Sequence, residues 1–363
     1  MLILNAVLLC TEAYVLGIIG NREKHGKAFC VLACIQAILL SGLRHIHVGM
    51  DTYNYWRMFE RAKDQSWLFY LEQFSPDVFF QTTEPGYFLS LKAFQLFSDD
   101  FRIYLIVFAC FVNIPIFKMI YKECEYKLPG VLLYMSLYFA FLSTTGLRQT
   151  SALMITTVLG FRYIRERKLV PYLLCCALAF TFHKTALLMI PFYFIAHKKI
   201  KPLYLMLVGG MTVMLFVFRN QFAQFFFSNV ATWYEGYGEQ YATAGTPTFS
   251  LFTILIAIAA VVMYKPMAAR NPDSNIYVNA SIVACIFLPL TFVDPSNLRA
   301  VFYFSFYSII LVPKIIAAFS KPRDRTIVYL LVVVLLMALI IKSSGIYRFY
   351  WQPGIYDEFP SIV

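Results

Sequence analysis

Apolar runs recur along this chain from end to end, each near the length an α-helix needs to cross about 30 Å of hydrocarbon. They fall near 2–20, 28–43, 101–120, 129–146, 148–162, 169–182, 184–196, 202–218, 249–264, 276–293, 300–319 and 326–342. The pattern predicts an all-α polytopic membrane protein with about twelve transmembrane helices. No hydrophilic stretch is long enough to fold separately, so residues 1–363 read as one integral membrane domain. Its longer loops lie near 44–100, 219–248 and 343–363. The first run, Leu2 to Gly20, has neither a basic start nor a small-x-small cleavage site, and it reads as a span rather than a signal peptide.

Charge orients the spans. Six short connections are basic: Arg22/Lys24/Lys27, Lys118/Lys122/Lys127, Arg162/Arg165/Arg167/Lys168, Lys198/Lys199/Lys201, Lys265/Arg270 and Lys321/Arg323/Arg325. They hold 18 of the 31 lysines and arginines and alternate with neutral or acidic connections, so twelve spans place them all on the cytoplasmic side. Both termini and the three long loops then lie outside. The stretch 84–97 is apolar but short, and it contains Lys92. Counting it as a span would move the Lys118–Lys127 connection outside. It is expected to be an outer-face or re-entrant helix, tolerated where protein or a water-filled cavity shields its backbone.

Composition agrees. Hydrophobic residues make up 60% of the chain and charged residues 14%, too few charges for a soluble surface. The net charge of +11 reads as the positive-inside bias rather than as a nucleic-acid footprint. The eight cysteines show no paired metal-ligand spacing, and there is no Walker loop, GxGxxG, HExxH or GxSxG. An ATP-driven pump and a membrane metalloprotease are therefore not expected, and neither a metal nor a cofactor is implied.

Charged side chains are costly in a bilayer and are usually paired, water-lined or functional. Here they gather at the expected outer ends of the spans: Arg44 and Asp51, Glu84, Arg148, His183 with Lys184, Arg299 and Arg348. The runs flanking His183–Lys184 are short for full crossings, which would set that turn below the surface, inside a funnel. His183 as a helix cap and Lys184 as a snorkelling anchor is the competing structural role. Arg148 follows Ser143-Thr144-Thr145-Gly146, a stretch that permits a tight turn and a helix start suited to an anion such as a pyrophosphate. Asp51 and Glu84 are candidate proton acceptors. Glu84 precedes Pro85-Gly86, however, and a helix-dipole role serves it equally. Aromatic runs in the long loops, Tyr53-Asn54-Tyr55-Trp56 and Trp233-Tyr234-Glu235-Gly236-Tyr237, are of the kind that stack on sugar rings.

Five stretches together resemble one family: Gly42-Leu43-Arg44 through Gly49-Met50-Asp51-Thr52-Tyr53-Asn54-Tyr55, Glu84-Pro85-Gly86-Tyr87, Gly146-Leu147-Arg148-Gln149, Phe182-His183-Lys184-Thr185-Ala186, and Asn297-Leu298-Arg299 leading into Phe302-Tyr303-Phe304. In order and spacing they resemble the EpsG-type branch of the Wzy oligosaccharide repeat-unit polymerases, over about residues 40–305. The tail from Trp351 to Tyr356 departs from that family's ending. The resemblance implies a fold like the GT-C glycosyltransferases, working at the outer face of the bacterial cytoplasmic membrane. Donor and acceptor would both be undecaprenyl-diphosphate-linked oligosaccharides, joined into exopolysaccharide, capsule or O-antigen. A flippase and a chain-length regulator of the same pathway would be partners.

On this reading Arg148, Arg299 and Arg44 bind the donor diphosphate, with Lys184 and Gln149 beside them, and no metal is needed. His183 or Asp51 accepts the proton of the attacking hydroxyl. His183 is favoured because its ordinary pKa suits a base near neutral pH. Glu84 orients the acceptor or an arginine. The alternatives are a membrane O-acyltransferase acting on surface sugars, a flippase of lipid-linked glycans, and a ligase.

Overall fold

The computed structural model of the chain describes residues 1–18, 25–75, 78, 84–222, 224, 247–343, 345 and 347–352. Among them every ordered element is helical, and pairing of extended chain is limited to one isolated bridge between Arg44 and Phe349. The run Trp233 to Tyr237 and most of the tail that departs from the family lie outside the described residues.

Among the described residues, each apolar run expected to span holds helix. Helices α1 (Leu2–Val15) and α2 (Gly26–Gly42) come first. Among its described residues the stretch expected as an outer loop holds three more, α3 (Thr52–Asp64), α4 (Trp67–Glu72) and α5 (Pro85–Phe94). Next come α6 (Phe101–Glu123), α7 (Lys127–Thr144), α8 (Leu147–Leu153) and α9 (Phe161–Arg165). Then follow α10 (Leu169–Phe182), α11 (Met189–Ile195) and α12 (Pro202–Val217). The last group is α13 (Pro247–Val262), α14 (Tyr264–Arg270), α15 (Ser274–Phe287), α16 (Leu298–Ser305), α17 (Ser308–Ala317) and α18 (Pro322–Ser343).

Among the described residues, four helices are long and apolar enough to cross a membrane, and six if each bent pair counts as one span. The pairs are α13 with α14, bent by 67°, and the run Pro295–Ser305 with α17, bent by 50°. Five further apolar helices are shorter, including α1, α2, α10 and α12. Several runs are therefore interrupted rather than continuous. Tyr134–Tyr138 within α7 and Met154–Leu159 between α8 and α9 are π-helical, and such turns shift the phase of the side chains that follow.

Two polar clusters mark opposite ends of these helices. Glu123 ends α6 and Arg165 ends α9; Arg165 Nη2 donates to Glu123 Oε2 at 2.6 Å and to the Tyr277 hydroxyl at 3.1 Å. Arg165 Nε pairs with Asp273 at 3.1 Å. The other cluster surrounds Arg148, at the start of the same α8–α9 run. Arg148 and Arg165 are thus separated by about 25 Å of helix at 1.5 Å per residue.

Helix α5 was expected as a short helix near 84–97 and is one. At ten residues it reaches only about 15 Å, half a bilayer. Its Lys92, awkward in an apolar run, donates to the carbonyls of Ala62 and Lys63 at 2.9 and 3.2 Å. It closes the C-terminus of α3, where free carbonyls favour a cation. Helix α3 itself buries one stripe, Thr52, Tyr55, Phe59 and Ala62, at helical spacing. Phe59 packs among Phe94, Phe101 and Tyr104 with ring centroids 5.5–6.2 Å apart, and Tyr55 meets Tyr87 edge-on at 5.4 Å.

Candidate active site

Glycines fix two of the approaches that build the site. Gly49 has φ +92°, and a Cβ there would lie 2.0 Å from the Thr144 carbonyl oxygen. Only glycine meets both demands. The approach lets Thr52 Oγ1 donate to that carbonyl at 2.7 Å, pinning the start of α3 to the turn that precedes Arg148. At Gly86 a Cβ would lie 2.2 Å from Thr181 Oγ1 and 3.0 Å from the Thr181 backbone carbon. The Thr181 hydroxyl is itself held by a 2.7 Å bond to the Leu178 carbonyl. Helix α5 therefore lies directly on the end of α10, and Glu84 reaches His183. Gly86→Ala is expected to destabilise the protein by about 1–3 kcal/mol through overpacking and to part Glu84 from His183. Thermal denaturation like that of wild type in this variant would refute this account.

Glu84 adopts φ +53° and ψ +63°, a left-handed conformation for a non-glycine residue that also precedes proline. Such backbone costs on the order of 1–3 kcal/mol and persists where the surroundings over-determine it. Here the carboxylate is buried and used on both sides. One oxygen meets His183 Nδ1 and the other lies 2.7 Å from Arg148 Nη1. Burial pushes the Glu84 carboxyl up, but His183, Arg148 and Arg299 together outweigh it and hold it below the ordinary carboxylate range.

His183 is the extended C-cap of α10, followed by a 3-10 turn over Lys184–Leu188, so the break expected there is present. With Nδ1 turned to the carboxylate, its Nε2 is buried and has no hydrogen-bond partner among the described residues. A buried nitrogen of that kind costs stability and asks for a functional reason.

Beside this trio, of which Glu84 and His183 are buried, opens a cleft of about 190 Å³. Four arginines line it, Arg57, Arg61, Arg148 and Arg299, together with Asp51 and Tyr55. Arg148 comes from α8 and Arg299 from the first turn of α16. Gln149, the next residue in α8, is buried and donates from Nε2 to the Arg299 carbonyl at 2.6 Å, fastening the two helix starts together. Asp294 accepts from the Ser296 amide at 2.8 Å, and Asn297 Nδ2 bonds the Leu290 carbonyl at 3.0 Å. These bonds set the turn that delivers Arg299. Asp51 is the N-cap of α3, but its side chain makes no capping bond. Burial raises its carboxyl above an ordinary aspartate, against the opposing pull of Arg299 and Arg148.

The structure thus gathers Asp51, Glu84, Arg148, His183 and Arg299 from five separate stretches of chain. Lys184 stands close enough to Glu84 to feel its charge. Gln149 acts on the Arg299 backbone. Arg44 lies apart from the cleft: it is buried, its Nη1 bonds the Ser41 carbonyl, and its Nε reaches Thr52 Oγ1 at 3.4 Å. It braces the start of α3. His183 does not line the cleft either; it stands behind Glu84, which stands behind Arg148. Asp51 is the candidate base in the cleft wall. The sequence reading missed Arg57 and Arg61. The signal was available, because Tyr55, Phe59 and Ala62 define the buried face of α3 and so set Arg57 and Arg61 one turn apart on another face.

No curated protein and no solved structure matches the chain. A family model described as the EpsG family matches residues 27–353. That span takes in every residue of the cleft and the Glu84–His183 pair behind it, and the chain belongs to the EpsG family.

Proposed function

We propose that this protein polymerises lipid-diphosphate-linked oligosaccharides, joining repeat units into a surface polysaccharide. Membership of the EpsG family points to polymerase-like function in polysaccharide synthesis. The observation that carries the finer reading is the cleft, where four guanidinium groups meet one carboxylate. Guanidinium forks match phosphate oxygens in pairs. At about 190 Å³ the cleft suits a diphosphate head rather than a whole glycan.

In the proposed reaction the acceptor hydroxyl oxygen attacks the anomeric carbon of the donor sugar. The bond from that carbon to the diphosphate oxygen breaks, and its electron pair leaves with undecaprenyl diphosphate. The proton goes to Asp51, the carboxylate in the cleft wall. Arg148 and Arg299 offset the charge that develops on the leaving oxygen, as pre-placed donors do elsewhere. Glu84 and His183 act from behind, holding Arg148 in position. Because arginines neutralise the leaving group, the scheme calls on no metal.

The proposed setting is the bacterial cytoplasmic membrane, with twelve crossings in a GT-C-like arrangement and the cleft facing outward. The charge alternation supports it, as does the helical separation of the Arg148 and Arg165 clusters, which approaches the thickness of a hydrocarbon core.

The test uses purified protein in nanodiscs with its undecaprenyl-diphosphate repeat unit and no nucleotide. A ladder of lengthening glycans is expected. Acyl transfer, or movement of the lipid without new glycosidic bonds, would identify an acyltransferase or a flippase instead. Transfer of a finished chain to another acceptor, with no ladder, would identify a ligase.

The pH profile is a second test. A protonated Asp51 cannot accept a proton, so chain growth is lost as pH falls through its pKa. Since burial raises that pKa, the acid limb is expected above the range of an ordinary aspartate. Glu84, held low, stays ionised throughout that limb. A rate that stays flat down into the ordinary aspartate range would remove Asp51 from the role.

A further inference from the structure

We propose that Arg57 and Arg61 form a second anion-binding pair at the mouth of the cleft, which takes the lipid diphosphate on its way to and from Arg148 and Arg299. The proposal rests on the diphosphate-dependent reading above and deepens it, dividing the four arginines of one cleft into an outer pair and an inner pair.

Arg148 is paired with Glu84 at 2.7 Å, and Asp51 lies where it feels both Arg299 and Arg148. Arg57 and Arg61 have no such partner among the described residues. Glu60, on the same helix, is engaged with Lys63 at 2.6 Å. Set against the carboxylates of Glu84 and Asp51, the four guanidinium groups leave two positive charges in surplus. A diphosphate diester carries two negative ones.

Arg57 and Arg61 are four residues apart, so they stand one above the other on α3, and like charges so placed oppose helix formation. Arg61 lies in the last turn, where a cation suits the helix dipole. Arg57 has no such reason to be there. Both are exposed, whereas Arg148 and Arg299 are half-buried. Yet both face one concavity with Arg148 and Arg299 instead of open surface. Exposed cations at the rim of a cleft attract an anion from solution and are screened by salt. A half-buried pair can then hold it during reaction. Once the glycosidic bond has formed, the freed lipid diphosphate carries more negative charge than the diester. The same outer pair would therefore retain the product and set its release.

The experiment uses the full chain in nanodiscs, with inorganic pyrophosphate as the binding probe and calorimetry as the readout. The doubly substituted Arg57→Ala/Arg61→Ala protein is expected to bind pyrophosphate at least about tenfold more weakly, since each lost guanidinium removes a charge-assisted bond. Its KM for the lipid-linked donor should rise by a similar factor, kcat should not fall because the product leaves sooner, and its dependence on salt should flatten. Arg57→Lys should restore part of the affinity, because charge returns without the fork. Both side chains are exposed, so the fold should survive. Pyrophosphate affinity like that of wild type would overturn the proposal. So would a defect seen only with repeat units bearing acidic sugars and absent with uncharged ones, because the pair would then be reading the glycan. A wild-type protein that makes a glycan ladder while the double variant binds pyrophosphate normally loses only this proposal. A wild type that binds pyrophosphate through Arg57 and Arg61 yet makes no ladder loses the polymerase reading and keeps the anion site.

Discussion

Arg148→Ala is expected to stop chain growth and to weaken the fold at the same time. Arg148 lies in the cleft wall and also pairs with Glu84 at 2.7 Å. Removing a pre-placed donor to a developing oxyanion commonly lowers kcat by about 10²–10³. Breaking a buried ion pair by deleting one partner costs about 3–5 kcal/mol. The lower end applies here, because the Arg148 side chain keeps 21% of its exposure and water can partly replace it. The two effects are separable. Glu84→Gln keeps the shape of the trio, releases Arg148 from its carboxylate, and should lower stability more than it lowers pyrophosphate binding. Arg148→Lys should recover stability without full rate, since an ammonium cannot serve Glu84 and two phosphate oxygens in a plane. A full-length glycan ladder from Arg148→Ala would remove the cleft from the chemistry altogether.

Asp51→Asn is expected to lower chain growth by about 10²–10⁴, the usual worth of a positioned base, while leaving pyrophosphate binding intact or tighter. The sign of the binding change is the discriminating part. Asp51 places a negative charge among Arg148 and Arg299, so its neutralisation makes the cleft more attractive to an anion even as the proton acceptor disappears. A residue needed only to hold the fold would lose both together. His183→Ala supplies the contrast. His183 reaches the cleft only through Glu84 and Arg148, so its loss should lower stability and misplace Arg148 rather than remove the base. If His183→Ala abolishes chain growth with pyrophosphate binding preserved while Asp51→Asn grows normal chains, the roles are reversed and Nε2 of His183 is the base.

Helix boundaries were largely legible because hydropathy and backbone hydrogen bonding act locally. A run of apolar residues has to close its own backbone bonds, and the break at His183–Lys184 and the short α5 follow from that. The continuity of the runs was less legible. The π turns in Tyr134–Tyr138 and Met154–Leu159 and the bends after Val262 and Ser305 depend on which neighbours pack there. Helix α3 shows a signal that was present but overshadowed: its stripe of Thr52, Tyr55, Phe59 and Ala62 is amphipathic, yet its charge made it resemble a loop.

Which residues carry charge beside apolar segments could be read from the chain alone, and that put Arg44, Asp51, Glu84, Arg148, His183, Lys184, Arg299 and Arg348 forward together. Local physics suffices there, since an ionised group near hydrocarbon is costly wherever the chain goes. Where each of them sits follows from packing between distant segments. Arg44 turned away to brace α3, Gln149 fastened Arg299 through its backbone, His183 stood behind Glu84, and Arg57 and Arg61 joined the cleft. Those outcomes depend on contacts between segments up to about 250 residues apart in the chain, set by close approaches at Gly49 and Gly86 that no local pattern encodes.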